Sequence, residues 1–238
     1  MKIKLLIGFT IILLTGGCDL IKYVDLSKVI SANTPLTNDE IVRGLKDALS
    51  IGTNNAVSVL SKTNGFYGDP LVKILFPPEV QYVADKLYSI GAGKLIDDFI
   101  LKMNQGAENA VVKAGPVFVN AVKTMSFTDA MGILKGADDA ATSYFKTNTR
   151  SQLFALFKPE VQKVLDQMQV TKYWTDVTSA YNKIPLTKKV ETDLAKYVTE
   201  KTMDGLFKKL AIEEKKIRTD PVARTTEILK RVFGSLNQ

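Results

Sequence analysis

The sequence contains no histidine, and its only cysteine is Cys18. Histidine is the most common general base and transition-metal ligand, so its absence excludes Ser-His-Asp and Cys-His triads and the usual zinc and copper sites. A single cysteine excludes a disulfide bond within the chain. Any reactive site must therefore be built from carboxylates, arginine, lysine, tyrosine and hydroxyl groups, and no cofactor is indicated.

Long apolar runs are also missing. The run Leu5–Leu14 covers only ten residues and no later one is longer, whereas a membrane-spanning helix needs about 20, so a polytopic membrane protein is excluded. Lys2 and Lys4 precede this run, and the small residues Thr15-Gly16-Gly17 separate it from Cys18. A charged start, a short apolar run and a small-residue site are the three parts of a secretory signal peptide.

The position of Cys18 directly after small residues resembles the lipobox of bacterial lipoproteins, in which the cysteine becomes the acylated N-terminus. Thr15 stands where leucine or valine is more usual. Two or three acyl chains attach a protein stably to a membrane. We therefore predict a signal peptide over residues 1–17, an anchor and tether over 18–36 and a single domain over 37–238. A simple secretory signal or an uncleaved anchor is the alternative.

The mature chain is mildly basic. Removing residues 1–17 leaves 30 basic and 25 acidic side chains, which is a formal net charge of +5. Residues 196–231 account for +4 of this net charge. Outside the cytoplasm such a balance favours anionic lipid headgroups, cell-wall polymer or an acidic partner rather than nucleic acid. A solvated helix face is the simpler interpretation of the same charges.

Apolar residues recur at steps of three and four throughout, and no alternating pattern of useful length predicts a strand. Thr37 and Glu40 form a capping box before the first helix, Pro78 fits the first turn of the next one, and Pro116 marks a kink or break. We therefore expect an all-α bundle of eight to ten helices. The later helices are predicted at residues 93–125, 126–134, 138–146, 148–157, 159–169, 171–183, 187–218 and 221–234.

One internal similarity suggests a duplication. Leu75–Lys86 matches Leu156–Gln167 at a spacing of 81 residues, with eight identities in twelve positions. The hypothesis is a duplicated helical unit with halves that meet near residue 136. The alternative is that a favourable helix start arose twice.

The candidate site consists of charged residues at positions where the helical pattern predicts burial. Glu108 is in line with apolar and small residues of its helix, and Glu214, Arg218, Asp220 and Arg224 follow one another at steps that allow ion pairs. A structural ion-pair network is our first interpretation. The alternative is a polar pocket in which the arginines hold an anionic ligand. The pocket interpretation adds three lining or orienting residues, which are Asn104, Thr142 and Tyr144.

Several segments together resemble the bacterial family catalogued as domain of unknown function 4197, over about residues 37–234. They are Gly44–Leu49, Met103–Glu108, Asp129–Gly136, Ala140–Phe145 and Ile217–Thr226. Gly106 departs from the pattern, since the family tends to have alanine or a larger residue there. The resemblance implies a secreted or lipid-anchored envelope protein and supplies no activity.

These observations favour a non-enzymatic, lipid-anchored module that faces the periplasm, with the choice between inner and outer membrane left open. Its expected partners are the membrane, through acyl chains on Cys18, and an envelope protein or anionic lipid. A carrier or sensor of a small anionic or lipidic ligand is the alternative. A hydrolase that uses carboxylates alone is the least favoured interpretation.

Overall fold

The computed structural model describes residues 36–167, 170–183, 185–186 and 189–234. The chain divides into two units, Met1–Leu36 and Thr37–Gln238, and the predicted signal peptide and Cys18 lie outside the described residues. The described residues form nine α-helices and no strand, which confirms the predicted all-α class. The helices are α1 Asn38–Leu60, α2 Gln81–Ser89, α3 Gly93–Val111, α4 Ala114–Thr124, α5 Phe127–Lys135, α6 Ala140–Asp166, α7 Val170–Tyr181, α8 Leu194–Thr219 and α9 Glu227–Gly234. None of these helices is long and apolar enough to cross a membrane.

Two helices begin at capping boxes. The Thr37 hydroxyl accepts a hydrogen bond from the Glu40 N–H at 3.2 Å, and the Glu40 carboxylate accepts one from the Thr37 N–H at 2.9 Å. Ser126 and Asp129 repeat this arrangement at the start of α5, with both bonds at 3.1 Å. Each box satisfies N–H groups that no helical carbonyl reaches, so these residues fix where α1 and α5 begin.

The two longest helices, α6 and α8, form the centre of the bundle. They pack against each other, α3 packs against both, and α1 packs against α8, α4 and α9. Phe118 of α4 meets Phe145 of α6 and Phe207 of α8 with ring centroids 5.0 and 6.5 Å apart. The small-residue helix α3 approaches α6 closely, because a Cβ on Gly106 would lie 3.7 Å from the Cα of Val161.

Two predicted helix boundaries are wrong. Residues 138–169 do not form three helices, because α6 runs without a break from Ala140 to Asp166 through Pro159. Proline inside a helix costs about 3 kcal/mol, but Phe157 and Val161 on either side of it are fully buried, and burial of this kind stabilises the helix. The helix predicted from residue 187 begins only at Leu194, where the side chain of Asp193 accepts the N–H of Lys196 at 2.9 Å.

The two segments that match at a spacing of 81 residues have different structures. Leu75–Pro77 lies outside any helix, and Pro78–Val80 is a single 3-10 turn that leads into α2. Leu156–Asp166, in contrast, lies wholly inside α6. The second halves of the two segments, residues 81–86 and 162–166, are helical in both copies, so the segments differ in how the helix begins and the duplication stays a hypothesis.

Candidate functional site

Glu214 and Arg218 form a buried ion pair one turn apart on α8. Arg218 Nη2 lies 2.9 Å from Glu214 Oε1, and Arg218 Nε donates to the same oxygen at 3.1 Å. Only 6% of the Glu214 side chain and 10% of the Arg218 side chain are exposed. A buried charge pair is stable only when its remaining donors and acceptors also have partners. The other contacts of these two side chains therefore decide what the pair does.

The pair lies between the end of α5 and the start of α6. Glu214 accepts hydrogen bonds from the N–H groups of Ala141 and Thr142, and from the Thr142 hydroxyl, each at 2.9 Å. Arg218 Nη2 donates to the carbonyl of Ile133 at 2.8 Å. A helix carries partial positive charge at its first turn and partial negative charge at its last. Each member of the pair therefore faces the helix end of opposite sign and ties α5, α6 and α8 together.

Arg224 and Asp220 each cap a backbone end instead of pairing with each other. Arg224 is 5% exposed, and its guanidinium donates to the carbonyls of Ile217 and Arg218 at 3.1 and 2.8 Å. These carbonyls belong to the last turn of α8, where a cation is favourable. The Asp220 carboxylate accepts the N–H of Val222 at 2.9 Å. Both residues thus shape the turn that follows α8.

Asn104 and Glu108, one turn apart on α3, hold the loop that joins α1 to α2. The side-chain amide of Asn104 accepts from the N–H of Ile74 and donates to the carbonyl of the same residue, both at 2.9 Å. The Glu108 carboxylate accepts the N–H groups of Phe66 and Tyr67 at 3.1 and 3.2 Å. Both α3 side chains are buried, and their partners are backbone groups of the loop.

The predicted candidates therefore fall into separate places. Thr142 lies beside the ion pair, as described above, whereas Asn104 and Glu108 contact the loop and not the arginines. The hydroxyl of Tyr144 donates to the carbonyl of Ala121 on α4 at 3.3 Å. Burial, followed by the charge of Asp129, raises the pKa of Tyr144. This tyrosine packs where α6 meets α4.

The cavity beside the ion pair is small. Its volume is about 20 Å³, which is room for about one water molecule, whereas ligand sites usually measure about 300–1,000 Å³. Within the described residues, no three acidic or sulfur side chains lie close enough to hold a metal ion. Apart from Glu214 and Arg218, the cavity is lined by Leu45, Ala48, Leu49, Gly52, Ile133, Ala141, Leu210, Ile217 and Phe233.

A larger groove of about 640 Å³ lies between α8 and the loop segment Leu71–Pro78. We call it the α8 groove. One wall is a stripe along α8 at steps of three and four, formed by Tyr197, Lys201, Asp204 and Lys208. No sequence pattern marks this groove, because its walls are far apart in the chain: Leu75 and Tyr197, which contact each other, are separated by 122 positions.

The fold and these contacts define an all-α protein whose buried charged residues join helix ends and hold a loop in place. A family model described as "Protein of unknown function (DUF4197)" matches residues 35–234. This match covers most of the chain, so the protein belongs to that family, as its motifs predicted. No curated protein and no solved structure matches the chain.

Proposed function

We propose that the protein is a lipid-anchored, periplasm-facing component of the bacterial cell envelope that acts by binding or as a structural part rather than by catalysis. The order of charged, apolar and small residues before Cys18 supports the anchor. A tether of residues 18–36 spans at most about 65–70 Å when fully extended, so the domain would act close to the membrane.

The non-catalytic role is supported chiefly by the contacts of the buried charges. Among the described residues the charged residues with the least exposure are Glu108, Glu214 and Arg224, and each of them, like Arg218, is hydrogen-bonded to backbone groups of the protein. A general acid or base must come within hydrogen-bond reach of a substrate. These groups instead bond the backbone of the protein itself, and the cavity beside Glu214 has room for about one water molecule. Glu108 borders an open groove of about 520 Å³, but its carboxylate accepts two N–H groups of the loop.

Metabolic labelling with palmitate tests the anchor. We expect the wild-type chain to incorporate label and to sediment with membranes, and Cys18→Ala to do neither. Thr15→Leu is the matched control, because it brings the site closer to the lipobox pattern and should be labelled at least as well. Label on Cys18→Ala, or an unlabelled wild type, would contradict the proposal.

Native mass spectrometry of the purified full chain tests the binding mode. We expect the mass of the protein and its acyl groups, without a co-purifying small molecule. An anionic molecule that is present in the wild type and absent from Arg218→Lys would instead favour a carrier that uses the ion-pair region.

A further inference from the structure

The α8 groove carries positive charge that the described part of the chain does not neutralise. Lys73 lines it from the loop, and Lys201 and Lys208 line it from α8. None of these three ammonium groups forms an ion pair with a described carboxylate: Lys73 and Lys201 lie over the rings of Tyr67 and Tyr197, and Lys208 donates to the carbonyl of Leu71. The hydrogen bond from Lys209, its ion-pair partner, lowers the pKa of Asp69, and the charge of Lys208 helps to lower it. An anion in the groove would therefore find cations that have no direct carboxylate partner among the described residues.

The acidic residue in the lining is itself neutralised. Asp204 lies on the α8 wall, and its carboxylate is 3.3 Å from Nη1 of Arg150 on α6. The net charge of the residues that line the groove is thus positive, and charge complementarity favours an acidic ligand.

The loop wall presents apolar side chains between these charges. Leu71 and Leu75 are 54% and 59% exposed, whereas Ile74 and Phe76 are buried. Such alternation is typical of an extended segment that buries one face. Both exposed leucines line the groove, so they offer apolar contacts to a ligand.

Among the described residues, one backbone N–H on the groove side of this segment has no acceptor, and it belongs to Leu75. Asn104 binds both the N–H and the carbonyl of Ile74. Neighbouring residues of an extended chain direct these groups to opposite sides, so those of Leu75 lie on the groove side. There its carbonyl accepts from the Tyr197 hydroxyl at 3.1 Å, and its N–H has no acceptor among the described residues. Burial and the charge of Glu79 raise the pKa of Tyr197 to about 12, so the hydroxyl remains a donor.

The groove has the length of a short extended peptide. Tyr197 and Lys208 are eleven residues apart on α8, which is about 16 Å at 1.5 Å per residue. About five residues of an extended chain cover the same distance. A groove of this length with cations and an unpaired backbone N–H along it suits an extended acidic peptide, whose carboxylates and carbonyls provide the matching acceptors at intervals along the chain.

We propose that the α8 groove binds an extended acidic segment of a partner protein in the cell envelope. Carboxylates of the segment pair with Lys73, Lys201 and Lys208, while its apolar side chains contact Leu71 and Leu75. The inference deepens the proposed binding role and depends on it only for the compartment in which the partner is found.

Fluorescence anisotropy with the purified full chain tests this proposal. The probe is a fluorescein-labelled peptide, Gly-Glu-Leu-Glu-Leu-Glu-Gly. We expect saturable binding that weakens as salt rises, and a roughly tenfold higher Kd for Lys201→Glu, because a cation at the groove becomes an anion. Lys135→Glu is the matched control, since it makes the same charge change at an exposed position on α5 and should bind like the wild type.

A second variant separates apolar contact from charge. Leu75→Asn, which removes the apolar side chain without adding a charge, should also raise the Kd, and circular dichroism must show that each variant keeps its helical content. Equal binding of a peptide with lysine in place of glutamate would overturn the proposal, as would equal affinities of Lys201→Glu and Lys135→Glu. Binding to phosphatidylglycerol vesicles without binding to the acidic peptide would also overturn it, in favour of lipid. Palmitate labelling of Cys18 is independent of each of these results.

Discussion

Replacing Glu214 with glutamine tests whether the buried ion pair supports the fold. Glutamine keeps the shape of the side chain but removes its charge, so Arg218 remains buried without a counter-ion. Its amide nitrogen is also a donor, and it replaces an oxygen that accepts hydrogen bonds from the start of α6. Breaking a buried pair in this way costs about 3–5 kcal/mol. We therefore expect the free energy of unfolding to fall by this amount.

Urea unfolding of the full chain measures the effect. Trp174, the single tryptophan, is buried and stacks on Phe99 with ring centroids 5.8 Å apart, so its fluorescence reports loss of the core. Asp98→Asn is the matched control, because Lys94 and Asp98 form an ion pair of the same sequence spacing on α3 with side chains 83% and 51% exposed. That exposed pair contributes about 0–0.5 kcal/mol.

The double variant Glu214→Gln with Arg218→Met isolates the interaction itself. Each single substitution leaves one member of the pair without its partner. The double substitution should therefore lower the free energy of unfolding by less than the sum of the two single effects, with a difference of about 1–3 kcal/mol. If Glu214→Gln costs no more than Asp98→Asn, or if the two single effects simply add, then the pair does not hold α5, α6 and α8 together and our argument is refuted.

Three further predictions concern the loop, two glycines and acid. Asn104→Ala should lower the free energy of unfolding in urea by about 2–4 kcal/mol, because the buried N–H and carbonyl of Ile74 lose their partner. A decrease below about 1 kcal/mol would contradict this prediction. Gly205→Ala should destabilise by about 1–3 kcal/mol, since its Cβ would lie 2.8 Å from a phenylalanine ring, whereas Gly132→Ala in α5 has open space and should stabilise by about 0.5–1 kcal/mol. The capping-box hydrogen bonds lower the pKa of Asp129 from its ordinary value of 3.8. The contribution of this carboxylate to the stability of the fold is therefore present above pH 3.8 and is lost as the pH falls through the lowered pKa. Asp129→Asn should flatten that part of a profile of melting temperature against pH, and an unchanged profile would contradict the prediction.

The fold class could be predicted because local signals agree with the tertiary structure. Thr37 and Ser126 begin helices through contacts with residues three positions later, and such signals need no knowledge of the rest of the chain. Pro159 shows where this approach fails. Its local preference is to end a helix, but the buried residues around it belong to a helix that packs along α3 and α8. Tertiary packing outweighs local preference there.

The candidate site was predictable only in part for a similar reason. Periodicity indicated that Glu108 lies on a packed face of its helix, and the structure buries it. Its partners are backbone N–H groups of Phe66 and Tyr67, about 40 positions earlier in the chain. Every residue except proline carries such groups, so no side-chain pattern marks them. The sequence therefore suggested a pocket that Glu108 would share with Arg218 and Arg224, whereas in the structure its partners are these backbone groups.

The contacts of Asn104 explain how an extended segment persists where the described residues form no strand. An extended segment alone in water is not stable, because its backbone groups need partners. A side-chain amide has the same donor and acceptor as a peptide group, so Asn104 replaces a neighbouring strand at Ile74. It occupies one edge of the segment, and on the other edge, toward α8, the Leu75 carbonyl accepts from Tyr197 while the Leu75 N–H has no acceptor among the described residues. The buried polar residue on α3 thus belongs to the scaffold, and the surface that it creates on the opposite side of the loop is where a partner can bind.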